Sequence, residues 1–74
     1  LLAAASGSGQ KTEALAYLGE RLLAAGDTAA GTSALRRVLR EGEPGYLEYD
    51  LAYHELRRMG LAKPADRRER KPEP

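Results

Sequence analysis

The chain is made of helix-forming residues and almost lacks the residues that favour strands. Ala, Leu, Glu and Arg fill most of positions 12 to 62, whereas Val38 is the only valine and isoleucine is absent. Straight-chain residues lose little rotamer freedom in a helix, and β-branched residues are the ones enriched in sheets. The sequence therefore predicts an all-α fold.

Glycines divide the helix-forming part into three segments. Gly26 and Gly60 each follow an apolar periodic run, which is typical of the residue just past a helix C-terminus. Asp27 is a suitable N-cap for the next helix. Three helices are predicted, over residues 11–25, 28–41 and 45–59. Because only Gly26 and Asp27 separate the first two, we expect them to form an antiparallel hairpin.

Helical spacing of apolar residues defines the expected core. The predicted inner faces are Leu15, Leu18, Leu22 and Ala25 in the first helix, Ala30, Ala34, Leu35, Val38 and Leu39 in the second, and Ala52, Leu56 and Met59 with Tyr46, Tyr49 and Tyr53 in the third. Ser8 or Thr12 is the expected cap of the first helix, and Pro44 suits the start of the third. Leu47 and Leu51 fall outside the inner arc of the third helix, so they are either exposed or covered by another molecule.

The 74 residues allow one small domain, flanked by two segments of different composition. We expect residues 1–11 to be a flexible N-terminal segment and residues 12–62 to be the domain. Residues 63–74 hold three prolines, no large apolar residue and a net charge of +2, which predicts a disordered basic tail. The first six residues fit either the end of an earlier helix or the remnant of a targeting segment.

The composition gives only weak information about the compartment and the partners of the chain. The chain has no cysteine and a net charge of +1, so disulfides and zinc–thiolate sites are excluded and charge alone indicates no partner. No apolar run approaches the roughly 20 residues of a membrane span. We expect a soluble chain without a transmembrane segment, intracellular rather than secreted, although the compartment itself is not fixed.

A shift of 34 residues aligns the chain with itself. It places Leu22 on Leu56 and Gly26 on Gly60, and 34 residues is the length of a tetratricopeptide repeat, a helix–turn–helix unit. The matching positions are Leu15-x-x-Leu18-Gly19-x-x-Leu22 for the first half of its pattern, Gly31-x-x-x-Leu35 for the second half, and Pro44 at its close. Residues 12–61 therefore resemble about one and a half degenerate tetratricopeptide repeats.

The resemblance implies a module that binds other proteins. Tetratricopeptide arrays hold peptides or helices of partner proteins in a concave groove, so it implies an adaptor, scaffold or assembly role. The residues expected on the inner face are Tyr17, Glu20, Arg21, Tyr46 and Tyr53. The chain departs from the family pattern where Leu15 replaces an aromatic residue and Gly31 replaces alanine.

No residue pattern indicates catalysis. His54 is the only histidine, and no further ligands accompany it at metal-binding spacing. The glycine-rich stretch of residues 6–12 has Gln10 directly before Lys11, where a phosphate-binding loop requires glycine. We therefore predict a non-enzymatic chain with no catalytic residues, no metal, no cofactor and no small-molecule substrate.

Two alternatives to a peptide-binding module stay open. In the first, the chain is a small structural subunit, or a docking or dimerisation element, in which a neighbour or a second copy buries Leu47 and Leu51. In the second, it is a helical DNA-binding domain. The acidic side chains of Glu48, Asp50 and Glu55 on the third helix would oppose phosphate, so we expect at most weak contact between the basic tail and nucleic acid.

Overall fold

Three helices account for most of the chain. The computed structural model describes residues 7–68, with α1 (Ser8–Ala24), α2 (Thr28–Glu41), α3 (Leu47–Arg58) and a short 3-10 helix (Pro64–Asp66). No strand occurs within residues 7–68, and the predicted all-α fold is confirmed. Residues 1–6 of the predicted flexible segment and residues 69–74 of the predicted tail lie outside the described residues.

Helix α1 begins three residues earlier than predicted. Its N-cap is Gly7, with φ of 91° and no side-chain capping bond, so neither Ser8 nor Thr12 serves as the cap. At the other end Gly26 adopts φ of 89°. There the N–H of Asp27 donates to the carbonyl of Leu22 at 2.9 Å. A left-handed glycine with this backbone bond satisfies carbonyls that the helix end leaves open, as the sequence predicted.

The bounds of α2 agree with the prediction at both ends. The Asp27 carboxylate accepts the N–H of Ala30 at 3.2 Å, which satisfies one of the free donors of the first turn. The predicted inner face is largely confirmed, because Ala34, Leu35 and Val38 are buried.

Helix α3 starts two residues later than predicted. Tyr46, in an extended conformation, is its N-cap. The preceding turn, closed by the Tyr46 N–H on the Glu43 carbonyl at 3.1 Å, contains Pro44. Gly60 ends the helix with φ of 77°, and the N–H of Leu61 donates to the Leu56 carbonyl at 2.8 Å.

The core lies where the three helices meet. It consists of Leu15, Ala16, Leu35, Val38, Leu39, Tyr49, Ala52, Tyr53 and Leu56, with Leu23 and Ala62 packed against it. The predicted inner face of α1 was partly wrong, since Leu18 and Ala25 are exposed whereas Ala16 and Gly19 are buried. A Cβ built on Gly19 would lie 2.6 Å from Leu35 Cδ2. The missing side chain of Gly19 thus lets α2 approach α1 closely, and Leu18 beside it stays exposed.

Polar contacts join the start of α1 to the end of α2. The Thr12 hydroxyl is fully buried and accepts the N–H of Glu43 at 2.7 Å. Lys11 Nζ lies 2.6 Å from the carboxylate of Glu41. At their other ends, α1 and α2 are joined by a connection of only three residues. So short a connection also requires that the two helices lie side by side.

The first residues of the predicted tail, 63–68, make polar contacts with one another and with the helices. The Asp66 carboxylate accepts the N–H of Lys63 at 2.8 Å and stabilises the 3-10 helix. The Arg68 guanidinium donates to the carbonyls of Leu39, at 2.8 Å, and Gly42. These are carbonyls at the C-terminal end of α2, which the helix itself leaves unpaired. The contacts of residues 63–68 are polar rather than apolar. A pattern of apolar residues in the sequence therefore does not indicate these contacts.

Candidate interaction groove

A surface groove runs between α1 and α3. It has a volume of about 430 Å³ and is lined by Glu13, Ala16, Tyr17, Glu20, Glu48, Leu51 and Ala52. The α1 residues follow a spacing of three, four and seven, and so share one helical face. Those of α3 occupy one face in the same way.

The floor and walls of the groove are apolar. Ala16 and Ala52 are buried at its base, where their small side chains let the two helices lie close together. Tyr17 is 66% exposed and Leu51 is 52% exposed, one from each helix. These large exposed side chains beside a floor of small residues form an apolar trough on the surface.

The rim of the groove is acidic. Glu13, Glu20 and Glu48 line it, and no basic residue does. None of these three carboxylates makes a hydrogen bond or ion pair with another residue of the described range. Three unpaired negative charges around an apolar trough attract a positively charged, partly apolar ligand.

Three predicted partner-binding residues meet in this groove. Tyr17 and Glu20 come from α1 and Leu51 from α3. Arg21 adjoins them, because its guanidinium lies 5.8 Å from the centre of the Tyr17 ring. A guanidinium at this distance from an aromatic ring makes a favourable cation–π contact.

The structure separates the other three predicted residues from the groove. Tyr53 is only 6% exposed, and its hydroxyl accepts from Arg57 at 2.9 Å. Tyr53 therefore lies in the core, on the face that helical spacing predicted, and it does not line the groove. Tyr46 packs against Gly9 at the start of α1. Leu47 is 67% exposed but does not line the groove.

Sequence reasoning did not identify four residues of the groove as binding residues. Glu13 and Ala16 were not singled out, Ala52 was assigned only to the core face of α3, and Glu48 was considered only as a charge that would oppose phosphate. The available signal was the spacing of Glu13, Ala16 and Glu20 around Tyr17, which marks a second face of α1 beside the core face.

One carboxylate outside the groove, that of Glu41, has a strongly lowered pKa. Glu41 accepts two hydrogen bonds of 3.1 Å from Arg37 and lies 2.6 Å from Lys11 Nζ. The hydrogen bond from Arg37, followed by that from Lys11, lowers the pKa of Glu41 from 4.5 to about 2. The same contact raises the pKa of Arg37. Through Lys11 and Glu41 this cluster joins α1 to α2.

The described residues contain no assembly typical of metal chemistry. Nowhere in residues 7–68 do three or more His, Cys, Asp or Glu side chains come together in a way that could hold an ion. His54 is exposed, with its ring edge-on to Tyr53 at 5.3 Å. No helix of this range has the length and apolar character needed to cross a membrane.

No protein family, curated protein or solved structure matches this chain. Its function therefore has to be inferred from the groove and the charges around it.

Proposed function

We propose that the chain is a non-catalytic module that binds a basic, amphipathic segment of another protein in the groove between α1 and α3. The observation that carries the proposal is the acidic rim around an apolar trough. Lysine or arginine side chains of the ligand pair with Glu13, Glu20 and Glu48. Apolar side chains of the ligand pack between Tyr17 and Leu51.

The size of the groove favours a peptide over a whole domain. A volume of about 430 Å³ accommodates a few side chains. An amphipathic helix places side chains three and four residues apart on one face, which suits a trough flanked by two helices. The charged rim then contributes mainly to specificity and association rate, and the apolar contacts contribute most of the affinity.

The resemblance to tetratricopeptide repeats supports the same proposal. In that interpretation α1 and α3 are the equivalent first helices of successive units, and the groove between them holds the partner. The role proposed on this basis is that of an adaptor, scaffold or assembly factor.

A titration calorimetry experiment tests the proposal. The probe is a short helical peptide with leucines on one face and lysines flanking them, compared with a peptide in which glutamate replaces each lysine. We expect only the lysine peptide to bind. The double variant E13Q/E20Q should weaken binding about tenfold or more, because two charge-assisted contacts are lost.

Matched variants separate the groove from general electrostatic attraction. D50N/E55Q removes the same net charge from α3 outside the groove, and we expect it to change affinity less than about twofold. Leu51→Ala should weaken binding, whereas Leu47→Ala, at a more exposed position outside the groove, should not. Equal losses in both double variants would contradict the proposal.

A second candidate function rests on the exposure of Leu47. Leu47 and Leu51 lie one turn apart on α3 and are both largely exposed, as a docking or dimerisation element requires. Sedimentation of the isolated chain separates the candidates. A dimer that Leu47→Glu dissociates would favour the docking element, and a monomer at all concentrations favours the peptide-binding module.

A further inference from the structure

A second concave site lies between α2 and the C-terminal segment. It has a volume of about 570 Å³ and is lined by Arg36, Leu39, Arg40, Leu61, Asp66 and Arg68. None of these residues lines the groove between α1 and α3. With three arginines and one aspartate, this cavity is net positive, whereas the groove is acidic.

Two of its arginines are available to a ligand. Arg36 and Arg40 are four residues apart on α2, so their side chains lie on the same side of the helix. Both are exposed, and neither makes a hydrogen bond or ion pair within residues 7–68. Their neighbour Arg37, in contrast, is held by Glu41. Two free guanidinium groups at this spacing offer forked donors to carboxylates.

The other two charged residues of the cavity are already engaged in building it. The Asp66 carboxylate accepts the N–H of Lys63, and Arg68 donates to the carbonyls at the end of α2. The Arg68 guanidinium also lies over the ring of Tyr49, at 5.6 Å from its centre. These contacts fix the wall of the cavity, and the positive charge of Arg36 and Arg40 stays unneutralised.

The cavity also has an apolar part. Leu61 is 39% exposed and lines the cavity beside Leu39. A ligand with an apolar side chain between two carboxylates can pair with the arginines and pack against the leucines of the cavity. The phosphate backbone of a nucleic acid makes no use of the leucines.

We propose that this cavity binds an acidic peptide segment of a partner protein. Carboxylates of the segment pair with Arg36 and Arg40, and an apolar side chain between them packs on Leu61. The proposal is independent of the groove, because the two sites share no residue and attract ligands of opposite charge.

Fluorescence anisotropy with two labelled peptides tests the proposal on the full chain. One peptide carries a leucine flanked on each side by two glutamates, and the other carries glycine in place of the leucine. We expect the leucine peptide to bind about five- to tenfold more tightly, because binding removes part of the apolar surface of the leucine side chain from water. This comparison requires no change to the protein.

Charge variants test the assigned arginines. R36Q/R40Q should weaken binding of the leucine peptide about tenfold or more. R57Q/R58Q removes the same net charge at exposed positions of α3 outside both concave sites, and we expect a change of less than about twofold. Unchanged circular dichroism spectra of both variants are the control for folding, which we expect because all four side chains are exposed.

Several results would overturn the proposal. These are equal losses in the two double variants, equal affinity for the leucine and glycine peptides, or no binding of either peptide at millimolar concentration. Tighter binding of a labelled single-stranded oligonucleotide than of the leucine peptide would instead identify the cavity as a phosphate-binding surface.

Discussion

At the scale of single residues, two glycines determine how closely α1 and α2 pack. A Cβ built on Gly31 would lie 2.8 Å from Leu23 Cγ and 3.0 Å from the Gly19 carbonyl oxygen. A Cβ on Gly19 would meet Leu35 at 2.6 Å. No real Cβ sits this close to its neighbours without displacing them, so glycine is required at the crossing of the two helices.

We therefore expect Gly31→Ala to destabilise the fold, although alanine is the better helix former. The gain in helix propensity is about 1 kcal/mol, and the cost of overpacking is about 1–3 kcal/mol. The net loss should therefore reach up to about 2 kcal/mol in urea unfolding. Ser33→Ala, at an exposed position of the same helix, is the control and should be neutral or slightly stabilising. A stabilised Gly31→Ala variant would show that the helices are not packed this closely.

The carboxylate of Glu41 makes stability depend on pH. Its pKa in the folded chain is lowered from 4.5 to about 2 by Arg37 first and Lys11 second. A depressed folded pKa contributes stability above the unfolded value, and that contribution is lost as the pH falls from about 4.5 towards 2.

Thermal unfolding across this pH range checks the assignment. We expect Glu41→Gln to flatten the dependence of Tm on pH between pH 4.5 and 2. Arg37→Gln should do the same, because it removes the largest cause of the shift. An unchanged slope in both variants would mean that this cluster does not form in solution.

At the scale of elements, the accuracy of the prediction depended on local signals. The start of α2 was predicted correctly because the Asp27 carboxylate caps the helix that directly follows it. The start of α1 was missed because no side chain caps it. The inner face of α1 was misplaced because hydrophobicity selects Leu18, whereas the packing selects Gly19, and closeness of approach is a property of two helices together.

The C-terminal segment shows the same limitation. Its order depends on Arg68, which reaches carbonyls 26 and 29 residues earlier in the chain. Composition alone identifies such a segment as disordered, since it contains no large apolar residue. The cavity beside α2 could not be predicted for the same reason.

We expect Arg68→Ala to loosen the end of α2. The variant loses hydrogen bonds from a charged donor to the Leu39 and Gly42 carbonyls, each worth roughly 1–3 kcal/mol at most. Hydrogen exchange of the last turn of α2 should therefore speed up more than that of its first turn. The control is Arg67→Ala, which removes an exposed ion pair with Asp50 worth less than about 1 kcal/mol. Equal effects of both variants would contradict this role of Arg68.

At the scale of the whole molecule, the three helices create two concave surfaces of opposite charge. The acidic groove lies between α1 and α3, and the basic cavity lies between α2 and the C-terminal segment. The sequence indicated Tyr17 and Glu20 for a binding face and Leu51 for a docking surface, but it could not bring the three together. Their meeting depends on the packing of α1 against α3, which involves residues more than thirty positions apart.

The most direct test of the proposed function is nuclear magnetic resonance titration of the labelled chain with the lysine–leucine helical peptide. We expect saturable shifts of backbone signals along one face of α1 and one face of α3, centred on Tyr17 and Leu51. Signals of Arg36 and Arg40 on the outer face of α2 should stay unchanged. Shifts centred on α2, or no saturable shift of any signal, would contradict the assignment of the groove as the binding site.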